Sequence, residues 1–548
     1  MRRWADKRLT LALLVLLAAL WAGLPGGAAR PDWTAVHRPA WGSEDLSFRV
    51  VQEAFSIIRK NHYTEPDIRK LILGSLEGMR DKVASDLGKD KVRLIEEKEG
   101  IRWGAGQKEI RIPADEDLDG DLLPLMEAYD LVRAYYPEEK QKQARQLAYA
   151  AIAGMMRRLD PHSALMTPEA FKELQVETRG EFGGIGIEIT LRDGKLTVVS
   201  PIEGTPAHRV GIQAGDLIVR IDGFDTQGIT LMGAVRRMRG PKGTAVTLEV
   251  RRAGADGPVV FSIVRDIIHI QSVKEKVLPG KIGYVRVSSF VESTSRDLFK
   301  SLRSLERQGI RGLILDLRNN PGGLLRQAVE VADLFLGKDS LIVYTRGKRP
   351  EHNLKFVDRR PGPFGKFPMI VLVNAGSASA SEIVTGALQD LHRALVMGTR
   401  TFGKGSVQTI IPLSDGSGLR VTTALYYTPK GREIQEKGIP PDAVVPQPGE
   451  ENSRDVVLEK ELVRSHQNGN GAKAPGPQAT PERKPDPPKA KPPLRKPILL
   501  GSEEDHQLSI ARRVLDEEPV AQVAQLMIRA RQILASANKA QAKAGAQP

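Results

Sequence analysis

Cysteine is absent from this chain of 548 residues. That excludes disulfides, thiolate metal sites and a cysteine nucleophile. Aromatic residues make up only 5%, and no basic groove with interleaved aromatics can be traced, so the formal charge of +14 gives no support to nucleic-acid binding. Much of that charge lies in the N-terminal lead and in a proline-rich tail. Long hydrophobic runs are also scarce. The apolar stretch Leu9–Leu24 is short for a membrane span, which takes about 20 residues. It follows Arg2, Arg3, Lys7 and Arg8 and precedes Gly26-Gly27-Ala28-Ala29. This is the tripartite pattern of an export signal cut after Ala29, with an uncleaved anchor as the alternative. Either reading makes the protein exported: periplasmic, or membrane-associated on the extracytoplasmic side.

What is present is enough apolar residue, 41% against 27% charged, to build sizeable cores in three or four domains. The chemistry concentrates in one stretch, Asn374 to Gln408. An apolar, strand-like run, Met369-Ile370-Val371-Leu372-Val373, leads into Gly376-Ser377-Ala378-Ser379-Ala380-Ser381, and a helical pattern follows from Glu382 to Leu391. A strand that turns tightly into a helix places a serine at the helix N-terminus, where unpaired N–H groups and the dipole favour negative charge. That suits a nucleophile whose transition state develops an oxyanion. Any of Ser377, Ser379 and Ser381 satisfies this argument.

A serine hydroxyl needs a base. His392 follows the helix and is poorly placed to serve its start. Lys404, between Gly403 and Gly405, can serve if burial keeps its amine neutral. Gln408 comes four positions later. If Lys404 to Gln408 runs as a strand, both side chains share a face, and the glutamine can accept from the amine.

This stretch resembles the active-site signature of the carboxyl-terminal processing peptidases, or tail-specific proteases. The resemblance selects the middle serine of S-A-S-A-S-E, Ser379, with the lysine of F-G-K-G, Lys404, and the glutamine four later, Gln408. It also covers Asp316-Leu317-Arg318-Asn319-Asn320-Pro321-Gly322-Gly323, which is similar to the family's D-L-R-x-N-x-G-G. It thereby implies an oxyanion hole from the amide of Gly322 or Gly323 and that of Ala380.

Elsewhere the pattern divides the chain. Residues 44–170 read as a helical N-terminal domain with a faint internal repeat: Ala54–Arg59 resembles Ala128–Arg133, and Leu71–Met79 resembles Leu147–Met155. A strand-like insert, Ile101–Pro113, lies between the copies. In Leu159-Asp160-Pro161-His162-Ser163, proline favours a turn or helix cap over catalysis. Residues 171–268 look like a PDZ domain, on Phe182-Gly183-Gly184-Ile185-Gly186-Ile187 and the later Gly211-Ile212-Gln213-Ala214-Gly215-Asp216. Its expected peptide-binding residues are Gly183, Gly184, Ile185, Gly186 and Ile187, on a glycine loop and the strand after it. Residues 269–450 alternate strand and helix as an α/β core does. Residues 451–500 read as a Pro/Lys-rich linker, and 501–548 as C-terminal helices with Leu508, Ala511, Val514 and Leu515 on one face of the first. Val520, Val523, Ala524, Met527 and Ile528 mark the second.

The fold class expected is therefore multidomain α/β and α+β: a helical N-terminal domain, a PDZ domain, a crotonase-like serine protease core and a helical tail. The resemblance implies a serine endopeptidase that takes proteins by apolar C-terminal tails, without metal or cofactor. It further implies homodimers or larger oligomers and helical-repeat adaptor proteins as partners. The competing expectation is a catalytically silent PDZ scaffold.

Overall fold

The computed structural model describes residues 46–97, 100–106, 108–113, 122–134, 136, 141–358, 361–448, 458–467, 501–502, 504–516 and 522–544. The expected export segment, 1–29, lies outside them, as does most of 451–500. Contacts divide the chain into Met1–Leu46 and Ser47–Pro548, and the description concerns the second unit.

The N-terminal region runs α1 (Leu46–Asn61), α2 (Ile68–Leu87), then β1 (Val92–Glu97), β2 (Gly100–Ala105) and β3 (Lys108–Pro113), then α3 (Leu123–Arg133) and α4 (Gln141–Met156). The three strands form an antiparallel sheet, so the strand-like insert begins earlier than its sequence pattern, at Val92. Trp103 is fully buried beneath it and donates its indole N–H to Ala128 O at 3.1 Å.

The two copies of the repeat pack on one another. A Cβ on Gly74 would lie 2.4 Å from Gly154 O, and one on Gly78 would lie 2.0 Å from Ala150 O. In the repeat Gly74 corresponds to Ala150 and Gly78 to Gly154, so α2 and α4 make one contact twice about a local pseudo-two-fold. Only small residues permit this backbone approach. The apolar core around the crossing continues into Leu413, Leu419 and Val421 of the α/β region.

The strand β4 (Ala164–Met166) and helix α5 (Pro168–Arg179) lead to the PDZ region. Thr167 caps α5, and Gly180 ends it at φ 74°. Next come β5 (Glu181–Gly184), β6 (Ile187–Arg192), β7 (Lys195–Pro201), α6 (Pro206–Arg209), β8 (Leu217–Ile221), β9 (Phe224–Asp225), α7 (Leu231–Met238), β10 (Ala245–Arg251), β11 (Val259–Val264) and β12 (Asp266–His269). The sheet order is β11-β10-β8-β7-β6, with β9 on β8, and β5 pairs with β12 as a separate stem. Among the described residues this leaves one edge of β6 unpaired, with α7 packed nearby.

The core comprises β13 (Val273–Leu278), β14 (Ile282–Val287), α8 (Thr294–Arg307), β15 (Gly312–Asp316), α9 (Leu325–Asp333), β16 (Leu341–Arg346), β17 (Lys355–Val357), β18 (Met369–Val373), α10 (Ala380–Asp390), β19 (Leu395–Gly398), β20 (Ser406–Pro412), β21 (Gly418–Tyr427) and β22 (Ala443–Val444). One sheet runs β13-β14-β15-β18-β19-β22, parallel from β14 onward. Every residue of β15 and β18 is buried, as expected for parallel strands covered on both faces. A second sheet, β17-β16-β21-β20 with β4 on β21, ties the N-terminal region to the core.

Helices α8, α9 and α10 cover one face of the parallel sheet. The other face is covered by α12 (His506–Asp516) and α13 (Val523–Ala544). The first buries Leu508, Ala511, Val514 and Leu515, the residues its periodicity marks. The second is longer than its pattern suggested and is turned: it buries Leu526, Ala530 and Ile533, a helical spacing, while Ala524 and Ile528 are exposed. A further helix, α11 (Glu459–Gln467), stands inside the stretch expected to be linker. Among the described residues no helix is long and apolar enough to cross a membrane.

Candidate active site

The parallel sheet delivers two loops to one place. The first leaves β15 as Leu317–Gly323, and the second leaves β18 as Asn374–Ser379. They are knitted together: Ala378 N–H donates to Asn320 O at 3.0 Å, Ser381 Oγ to the same oxygen at 2.9 Å, and Ser377 Oγ to Leu317 O at 2.8 Å. Asn319 and Asn374 exchange two further bonds, 2.9 Å to the Asn374 Oδ1 and 2.8 Å from its Nδ2. Ser377 and Ser381 are thus completely buried structural hydroxyls. Ser379 is the serine of the three without such a bond, at the head of α10.

Ser379 has φ 52° and ψ −111°, a backbone conformation costly for a residue with a Cβ. Glu382 holds it there. The carboxylate of Glu382 accepts Ser379 N–H at 2.8 Å, Thr401 Oγ at 2.6 Å, Gly403 N–H at 2.7 Å and Lys404 N–H at 2.9 Å. It is completely buried, which pushes its pKa up to about 7 although the four donors pull the other way. One side chain therefore fixes both the serine turn and the lysine loop.

Burial lowers the pKa of Lys404, and the neighbouring Arg420 lowers it further, while Glu459, Asp160 and Glu382 act in the opposite direction. No hydrogen bond joins Ser379 Oγ to Lys404 Nζ in this arrangement. The expected continuous strand from Lys404 to Gln408 is not formed: β20 begins at Ser406 and bulges between Val407 and Gln408. Gln408 Nε2 donates to Thr422 Oγ1 at 2.8 Å. Its Oε1 is buried without a hydrogen-bond partner among the described residues.

Thr422 connects Gln408 to Asp160, donating to its Oδ1 at 3.0 Å. Asp160 also receives His162 N–H, Ser163 N–H and Ser163 Oγ, and His62 lies 3.3 Å away. Burial alone would raise its pKa, but these hydrogen bonds outweigh it and hold Asp160 far below the usual carboxylate range. The Asp-Pro-His-Ser sequence is a turn, and His162 points its ring at Glu459 of α11, 2.7 Å away.

Of the candidate oxyanion donors, Gly322 N–H is already given to Asn320 Oδ1 at 2.9 Å. The amides of Gly323 and Ala380 have no hydrogen-bond partner among the described residues. Gly322 is still essential to the approach. Its φ is 101°, and a Cβ there would lie 2.8 Å from Ala378 O and 2.9 Å from both Ala380 N and Ser379 Cβ.

The PDZ region carries an apolar pocket lined by Gly184, Ile185, Gly186 and Ile187, joined by Phe182, Ile189, Val235, Met238 and Arg239. Ile185 is almost wholly buried, whereas Ile187 is partly open. Gly183 lies beside the pocket, its carbonyl taken by Gly240 N–H at 3.1 Å.

Comparison with known proteins identifies two regions of the chain. Residues 281–445 match the model of peptidase family S41, and residues 173–251 that of the PDZ domain. A carboxy-terminal-processing protease of Bartonella bacilliformis is 50% identical over 325 residues, covering 58% of this chain and 74% of the relative. The chain belongs to peptidase family S41. A carboxyl-terminal-processing protease of Synechocystis is 43% identical over 311 residues, 56% of this chain and 72% of that one. A solved photosystem II D1 C-terminal processing protease shares 29% identity, with TM-score 0.37, over 69% of this chain and 93% of its own.

Members of family S41 are serine peptidases, and this chain has the multidomain α/β architecture and the PDZ domain expected of it. The residues that sequence reasoning left unassigned are those behind the S41 site. Glu382 stands three residues after Ser379, the spacing of a capping box, and that signal was available. Asp160, Thr422 and Arg420 reach the site only through tertiary contacts.

Proposed function

We propose that this S41 serine peptidase is an endopeptidase that cleaves with Ser379 as nucleophile and Lys404 as general base, and takes substrates by their C-terminal tails. The observations that carry the reading are a half-buried Lys404 whose amine has a lowered pKa and, four residues on, a buried Gln408 Oε1 without a hydrogen-bond partner among the described residues. An unmet buried acceptor costs about 1–3 kcal/mol, and a lysine amine is the donor that would meet it. Gln408 then orients Lys404 toward Ser379 Oγ, and the pair closes to hydrogen-bonding distance when substrate is bound.

In the reaction Lys404 takes the Ser379 proton as Oγ attacks the scissile carbonyl. The amides of Gly323 and Ala380 stabilise the oxyanion, and Gly322 allows its close approach. Lys404 returns the proton to the leaving amine, then activates water to release the acyl-enzyme. No metal or cofactor takes part. The unpaired edge of β6 receives the substrate tail as an added strand, its last side chain in the apolar pocket and its carboxylate at the turn around Gly184, Ile185 and Gly186. The lead sequence makes the enzyme exported, acting in the periplasm or at the outer side of a membrane. Assembly into dimers or larger oligomers, and a helical-repeat adaptor, follow from the family resemblance alone.

Purified protein is incubated with an unfolded protein ending in an apolar tail, and the products are read by mass spectrometry. Ser379→Ala abolishes cleavage and keeps tail binding. Lys404→Arg is also inactive, because a guanidinium stays charged. Cleavage that survives Ser379→Ala in a clean preparation rejects the assignment. A wild-type chain that binds tails and cleaves nothing is the silent scaffold.

A further inference from the structure

We propose that Asp505, in the C-terminal segment beyond the S41 match, is a positioning residue for the catalytic loop and acts through Arg318. The inference rests on the reading above, in which the loop 319–323 faces the oxyanion.

Arg318 is completely buried at the carboxyl end of β15, immediately before that loop. Its guanidinium is shared between two carboxylates. Asp316 accepts Nε at 2.9 Å and Nη2 at 2.6 Å, and Asp505 accepts Nη1 at 2.8 Å and Nη2 at 2.6 Å. Both are paired fork to fork, the most direction-specific form of ion pair. Gln507 is a third acceptor residue for the guanidinium, its Oε1 taking Nη1 at 2.8 Å. Around this, Tyr284 Oη donates to Asp316 Oδ2 at 2.7 Å, and Asp505 takes Gly501 N–H at 2.8 Å, Leu508 N–H at 3.1 Å and Gln447 Nε2 at 2.8 Å. Asp316 and Asp505 are themselves fully buried.

The consequence follows from position in the chain. Asn319 and Asn320 each bond to the serine loop, so the stretch after Arg318 is held from its far side by Asn374, Ala378 and Ser381, while Leu317, just before Arg318, donates its N–H to Leu372 O of β18. From the near side its anchor is the Arg318 guanidinium. Half of that anchor comes from the C-terminal segment, which also lays Leu508, Ala511 and Val514 on the sheet. Removing the Asp505 carboxylate leaves buried guanidinium donors without acceptors, and these must move or admit water. A shift of Arg318 is transmitted directly to the peptide units that lead to Gly322 and Gly323. Through Asp505 and Gln507 the C-terminal segment thus positions the catalytic loop, in addition to covering the sheet.

The test uses the full chain with a chromogenic peptide substrate. Asp505→Asn keeps the shape and removes the charge. It lowers kcat at least tenfold and leaves KM and tail-peptide affinity within twofold. Val514→Ala, on the same helix but in the apolar layer, is the control: it lowers Tm and keeps kcat within twofold at 25 °C. If Asp505→Asn fails to fold, Gln507→Met removes one acceptor of Arg318 at similar volume and lowers kcat severalfold. Wild-type kcat in the folded variant overturns the assignment, as does a Val514→Ala loss of kcat equal to that of the polar variant. Both leave Ser379→Ala inactive, whereas a Ser379→Ala enzyme that still cleaves overturns the reading beneath.

Discussion

The amides of Ser379 and Lys404 share one acceptor: both donate to Oε2 of Glu382, at 2.8 and 2.9 Å. The Ser379 turn and the Lys404 loop are therefore held in register by a single buried oxygen. A carboxylate suits this place because it only accepts, and the four groups facing it all donate. Glu382→Gln would turn an NH2 toward two of them. At about 1–3 kcal/mol for each unmet buried group, kcat should fall by about 100-fold or more, with KM little changed. Steady-state kinetics on a peptide substrate measure it.

The pH dependence follows from Lys404. If Lys404 is the proposed base it works as the neutral amine, so kcat/KM should rise as pH climbs through the lysine pKa, which burial and Arg420 hold below its ordinary value. A cation nearby disfavours a second cation, so Arg420→Gln raises the lysine pKa and moves the acid limb to higher pH. Glu459 acts with the opposite sign, and Glu459→Gln moves the limb to lower pH. Profiles of kcat/KM against pH for the three proteins test both signs, and shifts in one common direction would reject the electrostatic account.

Gly322 tests the approach of the two loops. Alanine there meets Ala378 O and Ala380 N within 3 Å and must hold a φ of 101°. Turnover should be lost and Tm lowered. Gly215 also has positive φ, 89°, but nothing lies within 4 Å of an added Cβ. Gly215→Ala should therefore show only the cost of an unfavourable backbone conformation, about 1–2 kcal/mol, with activity retained.

The PDZ pocket is separable from the chemistry. Val235 lines it from α7, and Val235→Asp places a carboxylate where a substrate side chain and its own terminal carboxylate would come. Tail-peptide affinity should fall at least tenfold in a titration, while the Ser379-dependent hydrolysis of a short tail-less peptide persists. Loss of both would mean that the pocket is needed for the site itself to form.

Much of this molecule was legible in its residues. The small-residue turn, the glycine-flanked lysine and the alternation of apolar strands with amphipathic helices are local patterns, and local sterics and burial periodicity impose them whatever surrounds them. So is the face of α12. The bulge at Gln408, the rotated face of α13 and the helix α11 inside the presumed linker were not legible, because each depends on which surface the segment meets. Nor could the residues name Thr422 as a partner of Asp160 or Asp505 as a partner of Arg318. Hydrogen bonds and charges act over a few ångströms, and these pairs lie 262 and 187 positions apart in the chain, so only folding could choose among the available donors and acceptors. The sequence by itself determined which groups could do chemistry. The tertiary structure decided which of them are buried, oriented and paired so that they can.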